Sequence, residues 1–284
     1  MNLEEQYLHC LSSILETGTK IPNRTGVDAY TIPHVMLQHD MAAGFPLLTT
    51  KKMAFKSIKV ELEGFIKGVI DKRWYQERGC HIWDQWANPK KIPSDISSEE
   101  KKKLQAQETD LGPIYGFQWR SFNGSELPEA DQLKTIVDRL KTDPYDRRML
   151  CSAWNPLHMA EQALAPCHVL WHLTVIKNKL NLCFFQRSVD MFLGEPFNIA
   201  SYALLLHLLS LESGLKAGQL TAFLSNCHIY ENHVSVVKEQ LQRKPYYFPL
   251  IFTNSFSSIY EWDHSKTNLL GYKFHPKISA EVAI

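Results

Sequence analysis

The sequence predicts an α+β protein, a single domain over residues 1–284 in which helices flank a large mixed β-sheet. Helical and strand patterns follow one another irregularly, unlike the regular βαβ series of a parallel sheet. No glycine-rich phosphate loop occurs, which argues against Rossmann and P-loop folds. The 284 residues, 44% of them apolar and 21% charged, suffice for one large hydrophobic core.

Periodic apolar residues predict the helices. In the first helix Leu3, Tyr7 and Leu11 share one face, and Thr49 or Thr50 is placed to cap the second. Gly68 ends the second helix, and Gly214 ends the fourth, because glycine adopts the backbone that closes a helix. The predicted helices cover 3–17, 54–68, 131–142, 197–213 and 231–243.

Short alternating or continuous apolar runs predict the strands. The turn "NRTG" at 23–26 precedes the first alternating run, and "KNK" at 177–179 predicts the tight turn of a hairpin. The predicted strands cover 27–40, 149–154, 169–177, 180–187 and 219–227, and a strand-rich tail follows. The polar segment 89–110 predicts a surface insertion with a short helix after a serine cap at 97–98.

Composition excludes several classes of function. The net charge of +1 gives no broad basic surface, so no nucleic-acid partner is required. The apolar stretch 196–211 contains His207 and is shorter than the roughly 20 residues of a membrane span, and the N-terminus does not read as a signal peptide. The six cysteines lack metal-ligand spacing, which predicts reduced thiols in the cytoplasm and no metal site.

Cys167 lies between a proline and a histidine in "LAPCH", at the start of a predicted buried strand. Such a cysteine is most often an apolar filler, because a nucleophilic thiol needs a cation that stabilises its thiolate. Arg187 is equally far from the hairpin turn, so the two side chains are predicted to lie side by side. An arginine in an apolar strand needs an anionic partner, which makes packing and catalysis equally strong interpretations of Cys167.

Four arginines occupy turns or strand ends: Arg24, Arg147, Arg148 and Arg187. Isolated arginines are usually solvated, but guanidinium groups also bind phosphate in bidentate fashion. Together with Ser188 they suit one phosphomonoester. Asn198 opens an otherwise apolar helix, and a buried amide there needs partners for both its donor and its acceptor. A pyrimidine edge offers both.

These motifs resemble the thymidylate synthase family along nearly the full chain. The matching segments, in the family's order, are "NRTG", "GFPLLTTKK", "HIWDQWA", "DLGPIYGFQWR", "DPYDRRMLCSAWNP", "LAPCH", "QRSVDMFLGEPFNIASYALL", "CHIYENH" and the terminal "VAI". The arginine doublet, the proline–cysteine pair and the "QRS" segment are together highly specific for that family.

The resemblance implies reductive methylation of dUMP to dTMP, with 5,10-methylenetetrahydrofolate as the cosubstrate that gives carbon and hydride. The cysteine matching Cys167 adds to C6 of the uracil and makes C5 a nucleophile. The resemblance also implies a sheet-to-sheet homodimer in which Arg147 and Arg148 reach the partner's phosphate site.

The resemblance further implies roles for individual residues. Catalytic roles fall to Cys167, Glu61, Tyr115, Arg187 and Asn198. The dUMP-binding residues are Arg24, Arg147, Arg148, Arg187, Ser188, Asp190, Asn198, His228 and Tyr230. The folate-binding residues are Lys51, Ile82, Trp83, Asp190, Leu193, Gly194, Phe197 and Ile284.

Four residues depart from the family's usual pattern. Glu63 and Gly64 replace an apolar residue and a tryptophan, so Gly64 is expected to leave space where a ring normally packs. Glu195 replaces an apolar residue, and Asn226 replaces an aspartate. The simplest interpretation is divergence at positions a little removed from the ligands.

Two alternative functions remain open at this point. Extra polarity or space near the folate favours a dUMP 5-hydroxymethylase, in which water and not hydride traps the exocyclic methylene. Trp83 and the terminal Val282–Ile284 argue against it, because both shield the intermediate from solvent, and Asn198 favours dUMP over dCMP. A degenerate copy that only binds RNA is disfavoured by the intact set of site residues and the balanced charge.

Overall fold

The periodic segments of the sequence form helices in the computed structural model, which describes residues 1–122, 124 and 130–282. The α-helices are α1 (Leu3–Thr17), α2 (Phe55–Lys67), α3 (Lys72–Glu77), α4 (Ser98–Gln107), α5 (Tyr115–Arg120), α6 (Gln132–Thr142), α7 (Gly194–Ser213) and α8 (Val234–Leu241). Short 3-10 helices lie at Met41–Ala43, Pro89–Lys91, Met159–Glu161, Glu231–His233, Ile259–Glu261 and His264–Lys266. No helix of the described chain has both the length and the apolarity needed to cross a bilayer.

The strands also follow the alternating or apolar runs of the sequence. They are β1 (Thr19–Ile21), β2 (Ala29–Asp40), β3 (Leu150–Ser152), β4 (His168–Ile176), β5 (Lys179–Gln186), β6 (Val189–Asp190), β7 (Lys216–Tyr230), β8 (Leu250–Thr253) and β9 (Thr267–Leu270). Lys177 and Asn178 between β4 and β5 have φ angles of 49° and 59°. Two consecutive left-handed residues are typical of a type I′ hairpin turn, which confirms the turn predicted at "KNK".

The chain divides into two compact units. Unit 1 comprises residues 1–54, 175–254 and 267–284, and unit 2 comprises residues 55–174 and 255–266. The single domain over 1–284 stays a prediction.

Unit 1 is built on a mixed sheet. β2 pairs antiparallel with β1 and with the long β7, whereas β5 and β6 both pair parallel with β7. Helix α7 packs against β5, β6 and β7, and α1 packs against β2 and β7. Most of the circumference of α7 is buried, which explains its nearly continuous apolar sequence. β8 and β9 form a separate antiparallel pair.

Unit 2 packs its helices around aromatic side chains. Helix α2 contacts α3 and α5, and α6 contacts α5 and β3. The rings of Phe65 and Trp119 lie 5.7 Å apart, and those of Trp119 and Trp171 lie 5.6 Å apart. β3 pairs antiparallel with β4. The core of unit 2 thus joins α2, α5 and β4, the three elements that carry or adjoin Glu61, Tyr115 and Cys167.

Most predicted elements are confirmed within a few residues. The serine cap of α4 is confirmed, because Ser97 accepts from the Glu100 N–H and Glu100 accepts from Ser97 in return. Gly214 closes α7 with φ 69°, as predicted. The helix predicted over 231–243 is shorter, since a 3-10 turn precedes α8. Helices α3 and α5 are not predicted from the sequence, because they have six residues each and are too short to show a helical period.

Candidate active site

In unit 2 Cys167 lies immediately before β4 and is half-buried, unlike a cysteine that only fills a core. Its backbone N–H donates to the Tyr115 hydroxyl over 2.8 Å. Tyr115 is the first residue of α5 and is only 4% exposed. A buried hydroxyl on a packed helix therefore fixes the main chain of the predicted nucleophile.

His168 packs against the ring of Tyr115. The two rings stack with centroids 4.0 Å apart and planes 13° apart. Burial lowers the pKa of His168 to about 3, so the imidazole is neutral at physiological pH. His168 is not among the predicted site residues, because a histidine in an apolar strand pattern carries no signal for such a contact.

Glu61 on α2 is a second buried group of unit 2. It is 9% exposed, and burial raises the pKa of its carboxyl to about 7. The neighbouring Trp83 side chain opposes this rise only in part. A carboxyl with a pKa near 7 can both donate and accept a proton at neutral pH.

The folate-facing residues predicted in unit 2 surround the same ring cluster. Trp83 is buried, and its ring lies 6.1 Å from that of Tyr115. Ile82, its neighbour in the chain, is half-buried. Unit 2 therefore brings together Tyr115, Trp83 and Cys167 around one aromatic cluster.

Arg147 and Arg148 lie apart from that cluster, exposed on the turn that follows α6. The carboxylate of Asp146 accepts from the backbone N–H and Nε of Arg148 at 2.9 and 2.8 Å, and from Arg139 at 2.6 Å. Asp146 thus shapes the turn and leaves both guanidinium groups at the surface, where an anion can reach them.

In unit 1 Arg187 and Ser188 connect β5 to β6, and both are half-buried. Asp190 ends β6 and lies beside His228 of β7 in the parallel register. The Oδ1 atom of Asp190 accepts from the N–H groups of Phe192 and Leu193 at 2.9 and 3.0 Å. That turn leads directly into α7 and orders the start of the helix.

Asn198 lies in the first turns of α7 and is half-buried. Its amide has no hydrogen-bond partner among the residues that the structure describes. A Cβ added at Gly194, one turn earlier, would stand 4.0 Å from Nδ2 of Asn198, so it would touch the amide without displacing it. The amide therefore retains a donor and an acceptor for a ligand.

His228 and Tyr230 lie at the end of β7 with their rings edge to face, 5.1 Å between centroids. Nδ1 of His228 donates to the Asn226 carbonyl over 2.9 Å, since a carbonyl can only accept. This bond fixes the orientation of the imidazole ring.

Lys51 is 5% exposed, although the prediction places it near the folate. Its ammonium donates to the Phe192 carbonyl and lies 3.8 Å from the centroid of the Phe192 ring. Burial lowers the pKa of Lys51 to about 7, and Asp190 partly opposes that fall. In this structure Lys51 supports the turn before α7.

The remaining predicted residues of unit 1 are more exposed. Arg24 is exposed on the turn 23–26, where the Asn23 side chain accepts from the Thr25 N–H. Leu193 and Phe197 are half-buried at the start of α7. Ile284 lies outside the described residues.

Comparison with known proteins identifies the family. A family model described as Thymidylate synthase matches residues 5–284. A thymidylate synthase of Mycoplasma genitalium is 40% identical over 291 residues, covering 99% of this chain and 100% of that protein. Another, of Corynebacterium aurimucosum, is 38% identical over 282 residues, covering 99% and 98%. The chain belongs to the thymidylate synthase family. The resemblance stated from the motifs is confirmed.

The thymidylate synthase pattern is altered on α2 without leaving a hole. The expectation that Gly64 leaves space is wrong, because a Cβ there would stand 2.3 Å from the ring of Tyr75. The Tyr75 hydroxyl donates to the Val69 carbonyl over 3.0 Å, which holds the ring against the glycine. Tyrosine on α3 thus fills the volume.

Glu63, the neighbouring departure, is 1% exposed but fully paired. Its carboxylate lies 2.6 Å from the Lys67 ammonium and accepts from Nδ1 and the backbone N–H of His264 at 2.7 and 3.0 Å. Asp263 lies nearby, and the three acidic and imidazole ligand atoms fall within 4.8 Å of one another. The ammonium already bound to Glu63 opposes a metal ion there.

Asn226 has a backbone conformation that an aspartate could also adopt. Its φ is 50°, a left-handed conformation in which Asn and Asp are both enriched. Because its carbonyl, and not its side chain, contacts His228, the exchange leaves that contact in place.

Proposed function

We propose that this chain is a thymidylate synthase that converts dUMP to dTMP, with 5,10-methylenetetrahydrofolate as cosubstrate. The full-length relationship to thymidylate synthases carries the proposal. The geometry supports it, because the half-buried Cys167 has a fixed main chain and Glu61 has a pKa of about 7.

Cys167 is proposed as the nucleophile that adds to C6 of the uracil ring. Addition converts C5 into a carbon nucleophile, which the free pyrimidine lacks. Asn198 is proposed to bind the base edge, since its amide offers one donor and one acceptor to N3–H and O4. Arg24, Arg187 and Ser188 are proposed to bind the phosphate, and His228 and Tyr230 to bind the ribose hydroxyl.

The folate supplies the one-carbon unit and the hydride when bound. Asp190 fits the pterin ring, because its Oδ2 makes no hydrogen bond with any described residue while Oδ1 is held by the turn. Glu61 is proposed to move protons at the base, and Trp83, Leu193 and Phe197 to exclude water.

The hydroxymethylase is not favoured. The two relatives compared above both carry the name thymidylate synthase. The features that suggested it are accounted for within the fold. The Glu63 carboxylate is paired with Lys67 and His264. The space beside Gly64 is filled by the ring of Tyr75.

Product analysis tests the reaction directly. The enzyme is incubated with dUMP or dCMP and methylenetetrahydrofolate, and the pyrimidine and folate products are identified by mass. We expect dTMP and dihydrofolate from dUMP and no product from dCMP. Hydroxymethyl-dUMP with tetrahydrofolate would overturn the proposal, and turnover of dCMP would contradict the role of Asn198.

We also propose a sheet-to-sheet homodimer. Met36 of β2 and Phe223 of β7 are direct cross-strand partners, 52% and 44% exposed. Phe185 of β5 is the neighbour of Phe223 on the other side, so the three side chains form an apolar stripe on one face of the sheet. Such a stripe favours contact with a second sheet. In the dimer Arg147 and Arg148 are proposed to bind the partner's phosphate.

Mixing inactive variants tests this donation. Cys167→Ala and the double variant Arg147→Ala/Arg148→Ala are unfolded together and refolded. Random pairing makes half of the dimers mixed, each with one intact site of two, so about a quarter of wild-type activity should return. Mixing Cys167→Ala with Glu61→Gln is the control, because both residues serve one protomer's site and no intact site forms. Equal recovery in both mixtures would contradict donation.

A cytosolic location is proposed from the cysteines. All six are free thiols in the structure, which is usual in a reducing compartment.

A further inference from the structure

Glu195 is an unusual residue of α7, because its carboxyl is completely buried. It is the second residue of the helix, and its Oε2 accepts from Nε2 of Gln186, the last residue of β5, over 2.5 Å. Gln186 is itself fully buried. The contact therefore joins the end of β5 to the first turn of α7 inside the core of unit 1.

The surroundings of Glu195 disfavour a negative charge. Among the described residues it has no cationic partner, and the titratable groups around it are Tyr7 and Cys10 of α1 and Cys227 of β7. Burial raises the pKa of Glu195 well above its usual value. A carboxylic acid in such surroundings remains protonated at neutral pH and becomes a donor as well as an acceptor.

The remaining polar atoms fit a neutral acid. If the carboxyl were ionised, Oε1 of Glu195 and Oε1 of Gln186 would both lack a hydrogen-bond donor among the described residues. A protonated Oε1 can donate to the amide oxygen of Gln186, while Gln186 donates back to Oε2. An acid and an amide that face each other in this way satisfy both buried groups.

The pair lies between two groups of proposed dUMP ligands. Gln186 directly precedes Arg187 and Ser188, and Glu195 lies three residues before Asn198 on the same helix. An apolar residue at 195 would leave the buried amide of Gln186 without this partner, and the end of β5 would lose a link to α7.

We propose that Glu195 is a positioning residue: as a neutral carboxylic acid paired with Gln186, it sets the phosphate-binding end of β5 relative to the base-binding turn of α7. The inference rests on the proposed function, since it assigns those segments to dUMP. Glu195 itself contacts neither substrate nor folate in this scheme.

Three variants separate positioning from mere stability. Glu195→Gln keeps a neutral two-way pair with Gln186. Glu195→Met removes the pair at similar side-chain length and leaves Gln186 unsatisfied. Gln186→Met/Glu195→Met removes both polar partners, which is less destabilising than removing one. Leu209→Ala, on the same helix and far along it from Asn198, is the control for lost stability alone.

Melting temperature, dUMP affinity by calorimetry without folate, KM for dUMP and kcat are measured for each. We expect Glu195→Gln to resemble the wild type in all four. Glu195→Met should weaken dUMP binding about tenfold, as expected for a lost buried hydrogen bond, and the double variant should recover melting temperature but not affinity. Leu209→Ala should lower the melting temperature and leave KM unchanged.

Several results would overturn the inference. If Glu195→Met lowers only the melting temperature, the pair is structural. If Glu195→Gln is as impaired as Glu195→Met, the acid is not neutral. If the double variant binds dUMP normally, the pair does not position the site. If Glu195→Met does not fold, the double variant and Glu195→Gln still test the inference. A wild-type enzyme that binds dUMP but forms no dTMP would refute the proposed function and leave this binding test intact.

Discussion

Two faces of helix α2 each carry a buried glutamate, but only one of the two glutamates has charged and hydrogen-bonding partners. Glu61 and Glu63 are both buried, and two residues of α-helix turn them about 200° apart around the axis. Glu63 meets an ammonium, an imidazole and a backbone N–H. Glu61 meets aromatic and apolar groups, and burial raises its pKa to about 7. The neighbours, and not the residue type, separate a paired carboxylate from one whose pKa is raised by burial.

The largest expected effect is on catalysis, at the face of α2 that carries Glu61. Glu61→Gln should lower kcat by about 10²–10⁴, the usual contribution of a general acid or base, and leave the fold intact. Steady-state kinetics and a thermal melt check this. A variant with near-normal kcat would make Glu61 as structural as Glu63.

At the face of α2 that carries Glu63, the effect should fall on the free energy of unfolding. Glu63→Ala leaves Lys67 and His264 without their buried partner and should cost about 3 kcal/mol of unfolding free energy, with a small change in kcat. Urea unfolding measures it. Glu77→Ala on α3 is the control, since that carboxylate is 72% exposed and its ion pair is worth little. Equal stability of the two variants would contradict the comparison.

The pH dependence of stability sharpens the contrast. The pKa of Glu61 is raised from 4.5 to about 7, so the folded state holds its proton more tightly than the unfolded state. Its contribution to stability is fully present below about pH 4.5 and is lost as the pH rises to about 7, up to about 3 kcal/mol in all. Glu61→Gln should flatten the fall in unfolding free energy over this range. The same slope in both proteins would refute the raised pKa.

A smaller effect is expected where Tyr115 supports the nucleophile. Tyr115→Phe removes the acceptor for the Cys167 N–H and should lower kcat/KM about tenfold, the cost of one buried hydrogen bond. Tyr75→Phe is matched to it, because that buried hydroxyl donates to Val69 in the same unit. It should lower the melting temperature and spare kcat/KM. Equal kinetic losses would mean that neither hydroxyl is specific to the site.

The smallest effect is expected at Gly64, the residue that follows Glu63. Gly64→Ala improves helix propensity but places a Cβ against the Tyr75 ring, so a net loss of about 1 kcal/mol is expected. Urea unfolding measures it. A stabilised variant would show that the ring yields easily.

The sequence predicted more of the elements than of their contacts. Helix α1, the Ser97 cap and the turn at Lys177–Asn178 follow from local periodicity and backbone preference, and all are confirmed. The short helices α3 and α5 leave no such pattern. The stacking of His168 on Tyr115 joins residues 53 positions apart in the chain, and no local rule foretells it.

The motifs by themselves determined the family, because they follow one another in the family's order along nearly the whole chain, and the family match over residues 5–284 agrees with them. The tertiary structure decided what the departing residues do: Tyr75 fills the volume beside Gly64, His264 and Lys67 neutralise Glu63, and Gln186 meets Glu195. Except for Lys67, which lies one helical turn from Glu63 on α2, these partners lie on different elements. Whether a buried carboxyl is charged, neutral or reactive depends on the dielectric and the donors that packing brings to it, which local sequence does not encode.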